Sequence, residues 1–579
     1  MDMKTQEALP DNSGEEDKYA TAKRERQKYV DAILRSTARK KIVVGGPGTG
    51  KTYLFKIILE GKKNTLTLTF VNALVDDLSL ELCGISDVKT LHGFARGVLK
   101  KAVETKGAPD NIKIYRKLAE VIKEDAIILL NEEIDFDHLF HNRDDENKHI
   151  EFYKKRKNYY AHYGFTDIVF GAVKYLEANK HKIPTFTQVV VDEFQDFNEL
   201  EVSLIDLLAE KSPVLLVGDD DQALYESLKS ASPRHIRQRH SEKNCGYVAF
   251  TLPYCSRSTR VIVDAINDII EGATRVGNFT SRIPKPFRYF DDEEKDKDSD
   301  DNPRIIYMQR FETQIPAFIE RRIEEIAKEV RDEFTVLIIS PSRRKSLRIV
   351  EALRGKGFKN VQFKGTKDTV EPTLLDGLML LLENNECNLG WRIVARRLLD
   401  DTEFTTLLKK TDDGDARGFS DLIEDRQKRV VNQMLTTLRA IKGGKQKDDD
   451  KLAELLEKVG LDAYGMARDF LKNEVRSGLP PDANRGISKT LITATTVQSS
   501  KGLSADYVFI THFDDRYFIK DRDKSRVSDQ DICNVLVAFT RARKKVFLIS
   551  SDAAKRPVFL NWISAKHIRQ VKETNEPYE

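Results

Sequence analysis

GGPGTGKT (residues 45–52) decides the fold of this chain, because it stands between an apolar run, KIVV (41–44), and a helical stretch, YLFKIILE (53–60). Its glycines let backbone N–H groups curl around phosphate oxygens, and the N-terminus of the following helix adds the positive end of its dipole. A strand, a glycine-rich loop and a helix in this order predict a phosphate-binding loop at the edge of a parallel α/β sheet.

Short β-rich apolar runs recur on both sides of an acidic segment, DDEEKDKDSDDNP (291–303). Runs of this length that end in small or acidic residues are typical of buried parallel strands. Before the acidic segment they are KIVVGG (41–46), TLTLTF (65–70), VVVDEF (189–194) and VLLVGD (214–219); after it they are FTVLIIS (334–340), LITATTV (491–497), YVFITHF (507–513) and KVFLIS (545–550). The pattern predicts two doubly wound α/β domains with parallel sheets.

Two long stretches, 101–180 and 385–488, are rich in Lys, Arg and Glu and poor in strand runs, and we interpret them as helical insertions. The remaining domain boundaries follow from these two stretches and from the acidic segment. We expect a disordered N-terminus over 1–18, a first core domain over 19–100 and 181–288, an acidic linker over 289–303, and a second core domain over 304–384 and 489–570, in which 385–488 is a short helical insertion.

The composition excludes several classes of protein. Charged residues make up 33% of the 579 residues, while 96 Lys and Arg against 93 Asp and Glu leave a net charge of +3. These values argue against a membrane-spanning, wholly disordered or histone-like chain. The five cysteines are scattered, without metal-ligand spacing, and the N-terminus is acidic and polar, so we expect a cytoplasmic protein without a membrane partner.

VVVDEFQD (189–196) is a buried strand that ends in two adjacent carboxylates. Asp192 at the strand end can organise Mg²⁺ together with Thr52, and Glu193 can orient or deprotonate an attacking water. Joined to a phosphate loop whose Lys51 reaches the β and γ phosphates, the pair favours ATP hydrolysis over transfer to a small molecule.

VGDDDQALYE (217–226) follows another strand, and the polar, uncharged Gln222 is suited to sensing a γ-phosphate. With GxGKT and DEFQD, this segment resembles the UvrD/Rep-type branch of superfamily 1 DNA helicases. TFVN (69–72), TLHGF (90–94), TVQSSKGL (496–503) and VAFTRAR (537–543) extend the resemblance in the family's order. The resemblance implies two RecA-like P-loop NTPase domains with helical insertion subdomains, and ATP and Mg²⁺ as cofactors.

Site residues can be assigned from this resemblance position by position. Arg257 in YCSRST and Arg541 in FTRA resemble the two arginines that reach the γ-phosphate, and Gln27 resembles the glutamine that reads adenine. The full set implied to bind nucleotide is Gln27, Gly45, Gly46, Pro47, Gly48, Thr49, Gly50, Lys51, Thr52, Tyr254 and Gly502, and the catalytic set is Lys51, Asp192, Glu193, Gln222, Arg257 and Arg541. The residues implied to bind nucleic acid are Phe70, Asn72, Thr90, His92, Tyr225, Ser499 and Lys501.

The chain departs from the family pattern at three places. ESLKSASP (226–233) replaces a Trp-Arg-Gly run, PYCSRST moves Tyr254 three positions ahead of Arg257, and Ser504 replaces a glutamate that holds the ribose. The sequence therefore supports phosphate chemistry more strongly than a choice of adenine over guanine.

Three functions are compatible with these motifs. The first is an ATP-dependent single-stranded DNA translocase or helicase, with the 3′ to 5′ direction and the 3′-tailed duplex substrate that the resemblance implies. The second is an RNA or RNA–DNA hybrid helicase, because stacking and backbone contacts do not distinguish the sugars. The third is an ATP-gated DNA-sensing component of a nuclease-containing anti-phage defence complex, in which a nuclease or another protein is the partner.

Overall fold

The structure is a computed structural model of the 579-residue chain. It describes residues 13–69, 72–104, 112–225, 230–242, 245–330, 333–358, 360–365, 371–412, 418–442, 491–521, 526–552 and 555–572. Most of the N-terminal segment expected to be disordered, residues 1–12, lies outside these ranges, while a helix begins at Ser13.

A six-stranded parallel sheet carries the phosphate loop. Its spatial order is β3-β2-β4-β5-β1-β6, so β5 lies between β1 and β4. The strands are β1 (Lys40–Gly45), β2 (Thr65–Thr69), β3 (Asp87–Thr90), β4 (Gln188–Val191), β5 (Val214–Gly218) and β6 (Val248–Leu252). Because the carboxyl ends of parallel strands meet at one edge, the loops after β1, β4 and β5 are neighbours.

A seven-stranded parallel sheet follows in the second half of the chain, in the order β11-β12-β10-β13-β14-β9-β15. Its strands are β9 (Ile305–Gln309), β10 (Thr335–Ser340), β11 (Val361–Phe363), β12 (Leu491–Thr496), β13 (Ala505–Thr511), β14 (Ala542–Ser550) and β15 (Ile568–Gln570). A short parallel pair, β7 (Tyr254–Cys255) and β8 (Arg288–Tyr289), lies between the two sheets in sequence.

Helices connect and cover the strands. In the first half of the chain they are Ser13–Arg35, Lys51–Leu59, Asn72–Glu81, Leu91–Glu104, Leu118–Leu130, Phe136–His141, Lys148–Tyr160, Phe165–Ala178, Glu199–Lys211, Arg234–Ser241, Arg260–Arg275 and Glu293–Asp301. In the second half they are Ile315–Glu329, Arg343–Gly355, Leu374–Glu383, Asn388–Leu398, Asp401–Asp412, Asp425–Lys442, Asp515–Phe518 and Asp529–Phe539.

Burial explains why the apolar runs form central strands. Every residue of β2, β4 and β5 is buried, as expected for strands covered on both faces. Leu54 and Phe55 of the phosphate-loop helix pack with Val43 of β1 in one core cluster, which fixes that helix against the sheet. The predicted fold class, α/β with two parallel sheets and helical regions, is confirmed.

The contacts divide the chain into two compact units. The first unit contains both sheets and comprises Met1–Leu91, His181–Thr366 and Gly486–Glu579. The second unit comprises His92–Lys180 and Lys367–Arg485, and its described part is helical apart from one isolated bridge between Ile114 and Tyr163. The two stretches interpreted as separate insertions thus lie largely in one unit, while the finer domain limits stay a prediction.

The acidic segment expected to be a linker instead contains the helix Glu293–Asp301. Asp296 accepts hydrogen bonds from Lys18, Tyr289 and Arg260, at 2.7, 2.9 and 2.9 Å. These partners come from the first helix and from the segment between the sheets. Lys18 and Arg260 neutralise part of the negative charge, which is why a run of acidic residues can form a packed helix here.

Within the described ranges, no helix has both the length and the apolar character needed to cross a bilayer.

Candidate active site

The phosphate loop leaves β1 and ends where the helix Lys51–Leu59 begins. Gly48 and Gly50 have positive φ angles of 71° and 90°, which a residue with a Cβ atom adopts only under strain. The N-cap position, Gly50, offers no side chain to the first helical N–H groups. These N–H groups are therefore directed toward the loop, where an anion can accept from them.

Two acidic side chains follow β4 at the same sheet edge. The Asp192 carboxylate accepts from the backbone N–H of Glu193 at 2.9 Å, and Glu193 has the left-handed conformation, with φ 52° and ψ 42°. Such a conformation costs energy in a residue with a Cβ atom and is often found at functional sites. Gln195 donates to Glu193 Oε2 at 2.6 Å and fixes the orientation of the carboxylate.

The two carboxylates have opposite electrostatic surroundings. Burial, reinforced by the neighbouring Glu193 charge, raises the pKa of Asp192. Burial would also raise the pKa of Glu193, but the ammonium groups of Lys501 and Lys51 outweigh it and lower that pKa. The charges around Glu193 therefore favour its ionised form, which is the form that a general base requires.

The donor set beside the loop fits Mg²⁺. Thr52 and Asp192 both border the same cavity and offer the oxygen ligands that this ion prefers. Among the described residues, none forms an ion pair with the buried Asp192 carboxylate. A divalent cation bound there would stabilise the charged form that burial disfavours.

Gln222 joins the first sheet to the second. It lies in a turn after β5, where its amide nitrogen donates to Asp219 at 2.6 Å and its amide oxygen accepts from Arg541 at 3.0 Å. Arg541 precedes β14 of the second sheet and also donates to the Val537 carbonyl at 2.9 Å. Both ends of the Gln222 amide therefore have a hydrogen-bond partner, so the orientation of this side chain depends on the position of Arg541.

Two arginines border the same cavity, of which Arg541 is buried and Arg257 is partly buried. Burial lowers the pKa of Arg257, and burial together with the neighbouring Arg257 charge lowers the pKa of Arg541 to about 9. Ser256 donates from its backbone to the Gly48 carbonyl at 3.0 Å, which ties the Arg257 segment to the phosphate loop. Closely placed buried cations are stabilised by a polyanion, as a triphosphate is.

These groups meet at a cavity of about 360 Å³, within the usual range for small-molecule sites. The cavity is bordered by Pro47, Gly48, Gly50, Lys51, Thr52, Leu78, Glu81, Asp192, Glu193, Gln222, Ser256, Arg257, Gly502 and Arg541. All six residues expected to be catalytic are among them. Gln27, Gly45, Gly46, Thr49 and Tyr254, which were expected to bind nucleotide, are not.

Three bordering residues were missed from the sequence. Ser256 immediately precedes Arg257, so its place next to that arginine could have indicated it. Leu78 and Glu81 lie on the helix Asn72–Glu81, and neither has a sequence signal, because only the packing of that helix brings them to the loop.

The three aspartates after β5, which have no role assigned from the sequence, form a further cluster. Lys285 is buried and pairs with all three, Asp219, Asp220 and Asp221. Arg282 adds a contact of 2.8 Å to Asp221. Carboxylates with this arrangement can hold a metal ion, but here the ammonium of Lys285 occupies the centre of the cluster and holds the Gln222 turn in place.

The residues expected to bind nucleic acid belong to several different elements of the chain. Phe70 lies outside the described residues, Asn72 begins a helix, and Thr90 ends β3. The His92 ring stacks on Phe165 with centroids 3.8 Å apart. Ser499 donates from its backbone N–H to Thr496 at 3.3 Å.

Lys501, which was expected to bind nucleic acid, lies next to the carboxylates of the first sheet. Its ammonium is buried, forms an ion pair with Asp196, and donates to the Gln222 carbonyl at 3.0 Å. It also lies 3.6 Å from Glu193 and 5.8 Å from the centre of the Tyr225 ring. Because these groups already surround it, Lys501 faces the carboxylates of the first sheet and not the exterior.

Comparisons with known proteins agree with this geometry. The family described as AAA domain matches residues 30–228. The chain is 39% identical over 93 residues to DNA helicase II of Escherichia coli (strain K12), covering 16% of this chain and 13% of that protein. It is 26% identical over 264 residues to the ATP-dependent DNA helicase Rep of Buchnera aphidicola subsp. Baizongia pistaciae, covering 36% of this chain and 39% of that protein.

A third relative is an ATP-dependent helicase/nuclease protein of Streptococcus pneumoniae, 27% identical over 129 residues, which cover 21% of this chain and 10% of that protein. The chain thus matches well under half the length of each of these relatives. The AAA domain contains the phosphate loop, Asp192, Glu193 and Gln222. The chain therefore contains an AAA domain with a nucleotide-binding loop and is a distant homologue of the UvrD/Rep-type superfamily 1 DNA helicases.

Proposed function

We propose that the chain is an ATP-dependent single-stranded DNA translocase and helicase that moves 3′ to 5′. One observation carries the ATPase part of the proposal. Lys51, Asp192 and Glu193 of the first sheet and Arg541 of the second sheet border the same cavity. A nucleotide bound there contacts both sheets, so hydrolysis can change how they are held together.

In the proposed reaction, the loop N–H groups and Lys51 bind the β and γ phosphates. Glu193, held by Gln195, takes a proton from the attacking water. Thr52 and Asp192 would hold Mg²⁺, which neutralises phosphate charge when bound. Arg257 and Arg541 donate to the γ-phosphate oxygens, where charge spreads in the transition state.

The link from hydrolysis to movement runs through Gln222 and Lys501. Gln222 contacts Arg541 directly, and Lys501 of the second-sheet segment contacts Asp196 and Gln222 next to the carboxylates. Loss of the γ-phosphate removes the anion that the two arginines share, which weakens the contact between the sheets. If each sheet also binds a nucleic-acid strand, alternate closing and opening produces translocation.

DNA as the substrate is inferred from the relatives, two of which are named DNA helicases. Tyr225 is the best-supported of the expected contacts, because it follows Gln222 closely and donates to the Gln498 carbonyl of the second-sheet segment at 3.3 Å. A base stacked near Tyr225 would be adjacent to the residues that respond to nucleotide.

The test is steady-state ATP hydrolysis with and without single-stranded DNA, followed by strand separation on 3′-tailed and 5′-tailed duplexes. We expect DNA to raise kcat, Lys51→Ala to abolish turnover, and Arg541→Ala to lower kcat by about a thousandfold while KM for ATP changes little. Arg543→Ala, at an exposed arginine two positions further on, is the matched control.

Three results would contradict parts of the proposal. Hydrolysis that is indifferent to DNA would exclude a DNA-driven motor, and equal stimulation by RNA would favour an RNA or hybrid helicase. Unwinding of only the 5′-tailed duplex would show that the chain moves 5′ to 3′, opposite to the proposed direction of translocation.

A second candidate is an ATP-gated DNA-sensing component that works with a nuclease. It is favoured by the similarity to a protein whose name includes both helicase and nuclease, although the match covers 10% of that protein. Under this alternative the purified chain hydrolyses ATP on DNA but separates no strands. A nuclease that copurifies with the chain would support it.

A further inference from the structure

Arg26 adjoins the phosphate loop from the first helix. Its Nη2 atom lies 2.6 Å from the position that a Cβ atom on Gly50 would occupy, so the guanidinium lies directly against the phosphate loop. Gly50 itself borders the cavity. The guanidinium stands over the Phe290 ring, 5.0 Å from its centre.

The guanidinium of Arg26 has N–H donors that a ligand can use. Its electrostatic neighbours are Tyr53 and Cys255, and among the described residues no carboxylate pairs with it. Burial lowers the pKa of Arg26, as it does for a cation that lacks an acidic partner. A half-buried arginine of this kind is stabilised by a ligand that accepts hydrogen bonds.

The neighbouring residue, Gln27, is directed elsewhere. It is exposed, and its amide nitrogen donates to Asp31 one turn further along the same helix at 2.7 Å. Consecutive residues of an α-helix lie about 100° apart around its axis, so Arg26 and Gln27 cannot both face the loop. Tyr254, the other residue expected near the base, is packed edge-on against Tyr29 with centroids 6.0 Å apart.

The exchange of an amide for a guanidinium changes which purine is favoured. A glutamine amide carries a donor and an acceptor, which match N6 and N7 of adenine, whereas arginine has donors only, which match O6 and N7 of guanine. We propose that Arg26, in place of Gln27, contacts the base edge, and that the site accepts GTP as well as ATP. This inference rests on the proposed nucleotide hydrolysis and names its substrate class more closely.

Tyr53 offers the face on which either purine can lie. The residue is 52% exposed, and its Cβ atom lies 4.0 Å from the same point next to Gly50. Stacking on an aromatic ring does not distinguish purines, because every base has a π face. Substitution of Arg26 therefore tests the contact with the edge of the base, and substitution of Tyr53 tests the stacking on its face.

The experiment measures displacement of a fluorescent N-methylanthraniloyl nucleotide by ATP and by GTP, together with kcat/KM for both, in the full chain. We expect GTP to compete within about tenfold of ATP, and Arg26→Gln to shift the ratio toward ATP by about tenfold. Arg24→Gln, the same exchange at an exposed position of the same helix, should leave the ratio unchanged. Tyr53→Ala should weaken both nucleotides equally.

The outcomes separate this inference from the proposed function. A preference for ATP of more than tenfold in the unaltered chain would overturn the inference and leave the ATPase intact. Equal losses of ATP and GTP affinity in Arg26→Gln would mean that Arg26 binds phosphate. A loss of ATP affinity alone in Gln27→Ala would mean that Gln27 contacts the base edge. Either result would overturn the inference. If neither nucleotide binds or is hydrolysed, the proposed function itself is wrong.

Discussion

Glu193 combines an unusual backbone conformation with an unusual charge environment. Its left-handed backbone has a φ of 52°. The energetic cost of this conformation is offset by contacts at the carboxylate, since Gln195 donates to it and Lys501 lies 3.6 Å away. Gln195 also accepts from the Asp219 N–H at 2.9 Å, so a single amide links the carboxylate to the Gln222 turn. The side chain is thus oriented before a nucleotide arrives.

Glu193→Gln should retain nucleotide binding and lose turnover, because the amide keeps the shape of the side chain but cannot accept a proton. We expect kcat to fall by about a hundredfold to ten-thousandfold, measured in steady-state hydrolysis alongside equilibrium nucleotide binding. Glu60→Gln, at the exposed end of the phosphate-loop helix, is the control. Loss of binding would give Glu193 a structural role.

His512 predicts a pH dependence of stability. The imidazole is buried after β13, and burial followed by the Lys345 charge lowers its pKa to about 4. The unfolded chain therefore binds the proton more readily than the folded one between about pH 6.5 and 4, so this group makes stability fall as the pH falls through that window.

His512→Asn removes this titration, and Asn tolerates the positive φ of 54° at this position. The stability advantage of the unaltered chain over the variant should shrink by about 3 kcal/mol between pH 7 and pH 4. Urea unfolding at several pH values measures this difference. A difference that is constant with pH would refute the assignment of a neutral buried imidazole.

At the scale of an element, the turn after β5 depends on one lysine. Lys285 is almost fully buried among three carboxylates, and those carboxylates lose their central cation if it is removed. Lys285→Met should destabilise the fold by about 3 to 5 kcal/mol, because it leaves buried charges without a partner. Denaturant unfolding measures the change in the free energy of unfolding.

Lys174→Met provides the comparison for Lys285→Met. Lys174 also contacts carboxylates, Asp145 and Glu177, but about half of its side chain is exposed. Its removal should cost less than about 1 kcal/mol. Equal losses in the two variants would show that burial does not set the strength of the Lys285 contacts.

At the scale of the whole molecule, the second unit is assembled from two distant parts of the chain. Asp125, on the helix Leu118–Leu130, accepts from Arg156 at 2.9 Å and from Arg392 at 2.7 Å. All three side chains are buried, and Arg392 belongs to the later chain segment. A buried carboxylate thus holds together two segments that the sequence suggests are separate insertions.

Asp125→Asn should destabilise this unit by about 3 to 5 kcal/mol, because the buried Arg156 loses its carboxylate and the buried Arg392 keeps only its contact with Glu124. Amide hydrogen exchange can locate the loss, which we expect in the helices Leu118–Leu130, Lys148–Tyr160 and Asn388–Leu398. Asp145→Asn, whose carboxylate is partly exposed, is the control within the same unit. Unchanged exchange in the helix Asn388–Leu398 would mean that Asp125 does not hold the two segments together.

The sequence by itself determined the two parallel sheets and the chemical groups at the ends of their strands. Lys51, Asp192 and Gln222 each stand within a few residues of an apolar strand, and parallel strands bring such positions to one edge. Local order along the chain was sufficient for these residues, because strand and loop are neighbours in sequence.

Only the tertiary structure decided which side chains face the cavity and which segments pack together. The position of Arg26 next to Gly50 depends on how the first helix packs against the loop, and the burial of Lys501 depends on carboxylates more than 300 residues away along the chain. The acidic segment forms a helix because distant cations neutralise it, and the two helical stretches join through Asp125. In each case the stabilising contacts join residues that are far apart in sequence, so a local sequence pattern cannot predict them.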